Sequence, residues 1–179
     1  MSINVSGHQV VGPAFADTVA QTLADTDTEP SKVFLEVAES VFFEDAPRAR
    51  SALREVKGLG VGLIMDDFGT GYSSLNYLRR SPFDAVKIDR SFIGGLTGEP
   101  ATGAIVGAII DLSHVLDLTV VAEGVETQSQ LNQVIDLGVD RVQGFFISHP
   151  LLAERLEHDI LQPATSTPIH LPRGGQATI

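Results

Sequence analysis

Six short runs rich in β-branched and other apolar residues recur along the chain, and a stretch with helical spacing follows each of them. This alternation constrains the fold most, because strand–helix units in series form a parallel sheet with helices outside it. The predicted strands are Ile3–Ser6, Val33–Glu39, Val61–Phe68, Ala85–Asp89, Leu118–Gly124 and Val139–Phe146. The predicted helices are Phe15–Ala24, Pro47–Lys57, Ser74–Arg80, Ala101–Leu116, Ser129–Leu137 and Leu151–Ile160. The sequence therefore predicts an α/β fold.

Polar residues within or at the ends of the predicted strands distinguish between a doubly wound open sheet and a (β/α) barrel. They are Asn4, Glu36, Glu39, Asp66, Asp67, Lys87, Asp89, Glu123 and Gln143. A barrel brings the ends of many strands to one face, whereas an open sheet spreads them along a line. The pattern favours a TIM-like (β/α)8 barrel. Such a barrel has eight strands and at least about 200 residues, so six units in 179 residues predict an incomplete one.

The charge balance excludes one class of partner. The chain has 12 Lys and Arg against 23 Asp and Glu, a formal net charge of −11, whereas binding to a DNA or RNA backbone needs a basic face. The chain has no Cys, so a disulfide framework and a thiolate metal site are excluded. Neither a signal-peptide pattern nor an apolar run of about 18 residues is present. We therefore expect a cytoplasmic protein with no membrane segment.

The C-terminal composition marks a boundary. After Gln162 the chain is rich in Pro, Thr, Ser and Gly, which is typical of a disordered segment. We predict a domain over residues 1–162 and a disordered tail over residues 163–179.

The strongest local feature is the segment LIMDDFGTGYSSL, in which Asp66 and Asp67 follow an apolar strand. Adjacent carboxylates at a strand end repel one another, so burying them requires a cation. Alternatively, the segment is a solvated turn with Ser73 or Ser74 capping the next helix. Other strand ends add Glu36, Glu123 and Asn4, whose oxygen atoms suit Mg²⁺ or Mn²⁺ rather than zinc. The residues thus predict a divalent-cation site.

Lys87 and Gln143 stand among these acids at the strand ends. Lys87 has two interpretations, of which one is an ion pair that balances Asp66 or Asp67. In the other, its ammonium group holds a reactive water and stabilises phosphate charge. Gln143 offers an amide to the water or to the substrate.

The chain resembles the EAL family of bacterial cyclic di-GMP phosphodiesterases. The matching segments are NVSGHQV, LEVAES, MDDFGTGYSSL, VKIDRSF, VVAEGVET and VQGFFISHP, in family order, and the resemblance extends from residue 3 to about residue 160. It implies a barrel of the EAL type that hydrolyses cyclic di-GMP to linear pGpG with two Mg²⁺ or Mn²⁺ ions. By motif match the metal ligands are Asn4, Glu36, Asp66, Asp67 and Glu123.

The same motif match assigns roles to five further residues. Lys87 and Gln143 position the nucleophilic water, and Glu39 steadies the loop after the paired aspartates. Glu126 supports the site more weakly, and Asp89 is assigned to substrate binding. Ala38 stands where the family usually has Thr, which removes a hydroxyl between two retained acids.

The sequence contains no Glu-Ala-Leu tripeptide, although the family's Glu in that segment is a metal ligand upstream of the Asn segment. At about 30 residues per strand–helix unit, two absent units amount to roughly 60–70 residues. The absence of these units has three possible origins: a start codon assigned inside a longer gene, a decayed gene or a deliberate fragment. Because the gap exposes apolar strand edges, we expect marginal stability or oligomerisation, with a homodimer as one form.

The sequence is compatible with three functions. The resemblance favours a metal-dependent cyclic di-GMP phosphodiesterase domain, whose truncated chain alone is weakly active or inactive. The alternative is a catalytically inactive EAL-like module that binds cyclic di-GMP or a protein partner. A third hypothesis ignores the resemblance and assigns the acidic barrel to another phosphorylated metabolite.

Overall fold

A computed structural model describes residues 1–69 and 78–155, and the parallel sheet predicted from the sequence is present in it. Its strands are β1 Ser2–Val5, β2 Phe34–Ala38, β3 Gly62–Phe68, β4 Ala85–Ile88, β5 Thr119–Glu123 and β6 Arg141–Gln143. Each pairs in parallel with the next, in the order β1 to β6. The six strands form a half-barrel, which confirms the prediction of an incomplete barrel.

The helices lie on the outer side of this sheet. They are α1 Gly7–Val10, α2 Phe15–Asp25, α3 Val41–Gly58, α4 Arg90–Gly95, α5 Pro100–Val115 and α6 Gln128–Asp136, with a 3₁₀ turn at Pro30–Lys32. Residues 78–80 and 153–155 are also helical. The predicted helix Leu151–Ile160 therefore starts two residues later than expected. Residues 74–77 and 156–160 of the two predicted helices, both candidate serine caps and the predicted tail lie outside the described residues. No helix within the described ranges is long and apolar enough to cross a membrane.

The hydrophobic core lies between the outer face of the sheet and the helices. Alternate residues of a strand point to opposite faces, and those on the outer face are almost fully buried. They are Leu35, Val37, Leu63, Met65, Val86, Ile88, Val120 and Ala122. The other residues of the same strands, including Glu36 and Lys87, face the inside of the half-barrel. This division leaves the inner face free for polar groups at the carboxyl ends of the strands.

The end of β3 contains a bulge that the sequence did not predict. Met65 pairs with Val86 and Phe68 pairs with Ile88, so Asp66 and Asp67 together stand opposite one residue of β4. Because an extra residue reverses the alternation, Phe68 returns to the outer core, where it is 1% exposed. Asp67 has a φ of 55°, which is uncommon for a residue other than Gly. The bulge therefore accommodates two adjacent aspartates between the buried residues Met65 and Phe68.

The predicted strand Val139–Phe146 is wrong at both ends, since β6 covers only Arg141–Gln143. The C-terminal end is set by Gly144, where a Cβ atom would overlap the backbone of Val125. This close approach lets the Val125 amide donate to the Gln143 carbonyl at 3.1 Å, while the Phe146 amide donates to the Val125 carbonyl at 3.0 Å. The chain turns there, and the apolar residues Phe145 and Phe146 lie outside the sheet.

One helix prediction requires correction, and two short helices were not predicted. α3 begins at Val41 rather than at Pro47, and it has a break at Asp45, whose carboxylate accepts a hydrogen bond from the Arg48 amide at 3.1 Å. α1 is too short to show a period, and Ser6 begins it with a capping box. α4 begins at the cap Asp89, which was predicted to end a strand.

Candidate active site

One polar residue from each strand lies at the carboxyl end of the half-barrel. The register pairs Asn4 with Glu36 and Glu123 with Gln143, and paired residues of parallel strands lie on the same face. Asp66 pairs with Ala38, two residues beyond Glu36, and so shares that face. Lys87 of β4 lies between Asp66 and Glu123. The structure therefore brings six of the residues predicted from the sequence to one edge of the sheet.

Lys87 is the centre of this group. Its Nζ lies 2.9 Å from Glu36 Oε2, 3.1 Å from Glu123 Oε2 and 3.3 Å from Asp66 Oδ1. Only 5% of the Lys87 side chain is exposed, against 9% for Glu36, 15% for Asp66 and 31% for Glu123. The strands β2, β3 and β5 thus each direct one carboxylate at an ammonium group from β4. We refer to these four residues as the Lys87 cluster.

The environment keeps Lys87 charged. Burial lowers the pKa of the Lys87 ammonium, but the hydrogen bond to Glu36 and the negative charges of Asp66, Glu36 and Glu123 outweigh it. The net result is a pKa above the ordinary value for lysine. Lys87 is therefore a cation and a hydrogen-bond donor at neutral pH, and it cannot serve there as a general base.

The Lys87 cluster carries an excess of negative charge, since three carboxylates surround one ammonium group. Carboxylate oxygens gathered at partly buried strand ends are the donors that hard divalent cations take, so the donor chemistry fits Mg²⁺ or Mn²⁺. Within residues 1–69 and 78–155, no group of three or more acids or histidines is arranged to hold an ion. The three carboxylates converge on Lys87 Nζ rather than on a centre of their own.

Asp67 lies on the bulge beside this cluster. Partial burial raises the pKa of its carboxyl above the ordinary value, and the neighbouring charges of Asp66 and Asp89 act in the same direction. Lys87 and Arg90 oppose them more weakly. The surroundings of Asp67 thus disfavour its charged form. A cation bound beside it would favour the charged carboxylate.

Glu39 links the sheet to the segment that follows the paired aspartates. Its side chain is 1% exposed, and Glu39 Oε2 accepts a hydrogen bond from the Gly69 amide at 3.3 Å. Among the described residues Glu39 Oε1 has no hydrogen-bond partner. Gly69 has a φ of 99°, and a Cβ atom there would crowd the Phe92 ring. Glu39 therefore fixes Gly69, the first residue after β3, by this hydrogen bond, and it is not part of the Lys87 cluster.

Asp89 and Glu126 also lie outside the Lys87 cluster. The Asp89 carboxylate accepts a hydrogen bond from the Ser91 amide at 2.9 Å and so caps α4. Glu126 is exposed just before α6, and its amide donates to Gln130 Oε1 at 2.8 Å. Arg90, which sequence reasoning did not select, opposes the rise in the pKa of Asp67 and contributes to the lowered pKa of Asp89. The only sequence signal for it is its position one residue after Asp89.

A family model identifies the protein family of this chain. The model of the EAL domain matches residues 1–150. The chain belongs to the EAL domain family. The matched region contains all six strands and the whole Lys87 cluster.

Relatives of this chain are 36% to 42% identical to it over most of its length. A bifunctional diguanylate cyclase/cyclic di-GMP phosphodiesterase, MucR of Pseudomonas aeruginosa, is 42% identical over 156 residues, which are 87% of this chain and 23% of MucR. The signaling protein YkoW of Bacillus subtilis is 36% identical over 162 residues, which are 90% of this chain and 20% of YkoW. The chain thus spans less than a quarter of the length of either relative.

Solved EAL structures share the fold over most of this chain. The PaMucR phosphodiesterase in complex with c-di-GMP superposes with a TM-score of 0.83 at 42% identity, covering 87% of this chain and 63% of that one. The EAL domain of Mycobacterium smegmatis DcpA superposes with a TM-score of 0.85 at 38% identity, covering 90% and 72%. Klebsiella pneumoniae BlrP1, in a calcium/cy-diGMP complex, gives a TM-score of 0.77 at 30% identity, covering 83% and 38%.

Proposed function

We propose that the domain to which this chain belongs hydrolyses cyclic di-GMP to linear pGpG at the carboxyl edge of the half-barrel. The observation that carries the proposal is the convergence of Glu36, Asp66 and Glu123 on Lys87, at 2.9, 3.3 and 3.1 Å. The c-di-GMP complexes of the related PaMucR phosphodiesterase and BlrP1 support the choice of substrate.

The residues that would hold a pair of Mg²⁺ or Mn²⁺ ions are Asn4, Glu36, Asp66, Asp67 and Glu123. When bound, such a pair supplies a Lewis acid for the phosphodiester and a water activated for attack. The calcium present in the BlrP1 complex supports a site for hard cations in the family. The choice of metal and the use of two ions are part of the proposal.

Three further residues act on the water and the substrate. Lys87, as a permanent cation, donates a hydrogen bond that orients the attacking water and stabilises the negative charge on phosphate. Gln143, paired with Glu123 across β5 and β6, offers its amide to the same water. Asp89 contacts the substrate from the beginning of α4.

Two acids support the site from outside it. Glu39 fixes the segment after Asp67 through its hydrogen bond with the Gly69 amide. Glu126 supports the loop before α6 at the end of β5. We place the domain over residues 1–162 in the cytoplasm, with a homodimer as one form.

A second candidate function is favoured by one specific observation. Three carboxylates converge on Lys87 Nζ rather than on a centre of their own, and no group of three or more acids or histidines within residues 1–69 and 78–155 is arranged to hold an ion. A domain that keeps this arrangement would bind cyclic di-GMP, or a protein partner, without hydrolysing it.

One experiment distinguishes the two functions. The purified chain is incubated with cyclic di-GMP and Mn²⁺, pGpG is followed by chromatography, and nucleotide binding is measured by calorimetry. We expect the chain to bind the nucleotide and to form pGpG weakly, and Glu36→Gln to reduce the rate of pGpG formation at least tenfold. Asp111→Asn is the matched control, because Asp111 is an exposed carboxylate of α5 far from the site. Binding without product would establish the second function, and neither binding nor product would contradict both.

A further inference from the structure

The residues that follow the six strands include a single positive charge. Within two positions after the end of each strand, the sequence has one Lys or Arg, which is Arg90. Lys87 lies inside β4, its side chain is only 5% exposed, and three carboxylates surround its ammonium group. Arg90 is exposed, and none of the ion pairs within the described ranges includes it. Its guanidinium is therefore available to a ligand at the carboxyl edge of the sheet.

The stem of Arg90 is fixed beside the strand that supplies Glu123. Ile88 of β4 pairs with Ala122 of β5. Continuing this register by two residues places Arg90 beside Gly124, the residue after Glu123. The structure has this contact, since a Cβ atom at Gly124 would lie 2.5 Å from the Cβ atom of Arg90. Arg90 therefore leaves the sheet next to the Lys87 cluster on its β5 side.

The charge of Arg90 also acts on the β3 side of the site. Arg90 opposes the rise in the pKa of Asp67, so its guanidinium lies within electrostatic range of the bulge at the end of β3. Arg90 thus stands at the end of β4, between the Asp67 carboxylate and the backbone of Gly124. This position borders the Lys87 cluster without being part of it.

The neighbouring Asp89 cannot take the place of Arg90 in binding an anion. The Asp89 carboxylate accepts hydrogen bonds from the amide and the hydroxyl group of Ser91, and a carboxylate repels a phosphate. A guanidinium instead presents several N–H donors in a planar fork that matches two phosphate oxygens. A phosphate at the beginning of α4 would therefore be bound by Arg90.

Cyclic di-GMP carries two phosphodiester groups, and its hydrolysis to linear pGpG breaks only one of them. We propose that Arg90 binds the second phosphodiester, the one that is not hydrolysed. This inference rests on the proposed function, which places the hydrolysed group at the Lys87 cluster. Because both phosphodiesters belong to one ring, the second stays close to the first, and Arg90 is the exposed cation beside that position.

The test is the affinity of the chain for cyclic di-GMP, measured by calorimetry with Ca²⁺, the cation of the BlrP1 complex. Arg90→Gln keeps the stem that packs against Gly124 and removes the charge. We expect it to weaken Kd by about tenfold or more, whereas Arg90→Lys keeps the charge without the fork and should lose less affinity. Arg54→Gln is the matched control and should leave Kd unchanged, because Arg54 is an exposed arginine of the outer helix α3.

Two further measurements separate a phosphate contact from other roles of Arg90. The Kd of Ca²⁺ alone should not weaken in Arg90→Gln, because this residue does not hold the cation. Added salt should weaken the binding of cyclic di-GMP more in the wild type than in Arg90→Gln, because salt screens an exposed contact between two charges. None of these measurements requires hydrolysis. Binding without pGpG would therefore contradict the proposed activity and leave the role of Arg90 measurable.

Four results would overturn the proposal. They are the absence of cyclic di-GMP binding to the wild type, equal values of Kd for the wild type and Arg90→Gln, equal salt dependence of the two proteins, and a loss of Ca²⁺ affinity in Arg90→Gln as large as its loss of nucleotide affinity. The last result would assign Arg90 to the support of the cation site.

Discussion

The Lys87 ammonium lies 2.9 Å from Glu36 Oε2, and both side chains are less than 10% exposed. The contact joins β2 to β4 across the inner face of the half-barrel, with β3 between them. Asp66 and Glu123 complete the surroundings of the same ammonium group. The stability of the cluster and its affinity for cations are therefore linked, because removing the ammonium leaves three carboxylates without a counter-charge.

Replacing Lys87 by methionine should destabilise the chain by about 3 kcal/mol in the absence of divalent cations, because a buried charge loses its partner. Mn²⁺ should restore more stability to Lys87→Met than it adds to the wild type, because it replaces the missing positive charge. Urea unfolding with and without Mn²⁺ measures both effects.

The control for this prediction is Lys57→Met. Lys57 forms an ion pair with Asp84 in which both side chains are more than one-third exposed, so its loss should cost about 1 kcal/mol or less and be insensitive to Mn²⁺. Equal losses of stability in the two variants would contradict the special position of Lys87.

Gly144→Ala should destabilise the domain by about 3 kcal/mol, because the added Cβ overlaps the Val125 backbone, which cannot move aside as a flexible side chain can. The same overlap displaces Gln143. Gly103→Ala is the matched control, since nothing lies within 4 Å of its Cβ position. Gly103 is inside α5, so alanine should stabilise it by roughly 0.5–1 kcal/mol. Thermal unfolding should show a lower Tm than the wild type for Gly144→Ala and a higher Tm for Gly103→Ala.

The cap of α4 predicts a dependence on pH. Partial burial raises the pKa of Asp89, but the hydrogen bonds from Ser91 and the charge of Arg90 outweigh it and lower the pKa overall. A carboxyl whose pKa is lower in the folded state stabilises the fold fully when the pH is above the ordinary pKa of 3.8. This contribution to stability disappears as the pH falls through the pKa of the folded state.

Asp89→Asn keeps a capping oxygen and removes the charge, so its deficit in stability against the wild type should be present at pH 7 and shrink as the pH falls below 3.8. Asp89→Ala should cost about 1 kcal/mol at pH 7, since it removes the cap itself. Urea unfolding from pH 7 down to pH 3 measures the two differences. A deficit of Asp89→Asn that grows as the pH falls would contradict the account.

The sequence predicted the six strands, their parallel order and the polar residues at their carboxyl ends, because each signal is local or follows from the parallel arrangement. Glu36 and Glu123 lie within or at the end of apolar strand segments, and the parallel arrangement of the strands then brings them to one edge of the sheet. An ion pair of Lys87 with Asp66 or Asp67 was one of two interpretations. Its contacts with Glu36 and Glu123 were not predicted, since spacing along the chain does not determine which carboxylates face one ammonium group.

The features that sequence reasoning missed depend on contacts between distant residues. The bulge at Asp66 and Asp67 exists because Phe68 returns to the outer core. β6 ends at Gln143 because Gly144 lies against Val125, which periodicity does not reveal. The helix α4 was missed because its start depends on the Asp89 side chain rather than on an apolar period.

The most direct test of the account is the titration of Mn²⁺ into the chain by calorimetry. Glu36→Gln removes one carboxylate of the Lys87 cluster and leaves its shape unchanged, while Asp111→Asn removes an exposed carboxylate elsewhere. We predict that Mn²⁺ binds the wild type and Asp111→Asn with the same affinity and binds Glu36→Gln at least tenfold more weakly. Equal affinities in all three proteins would contradict the assignment of this cluster as the cation site.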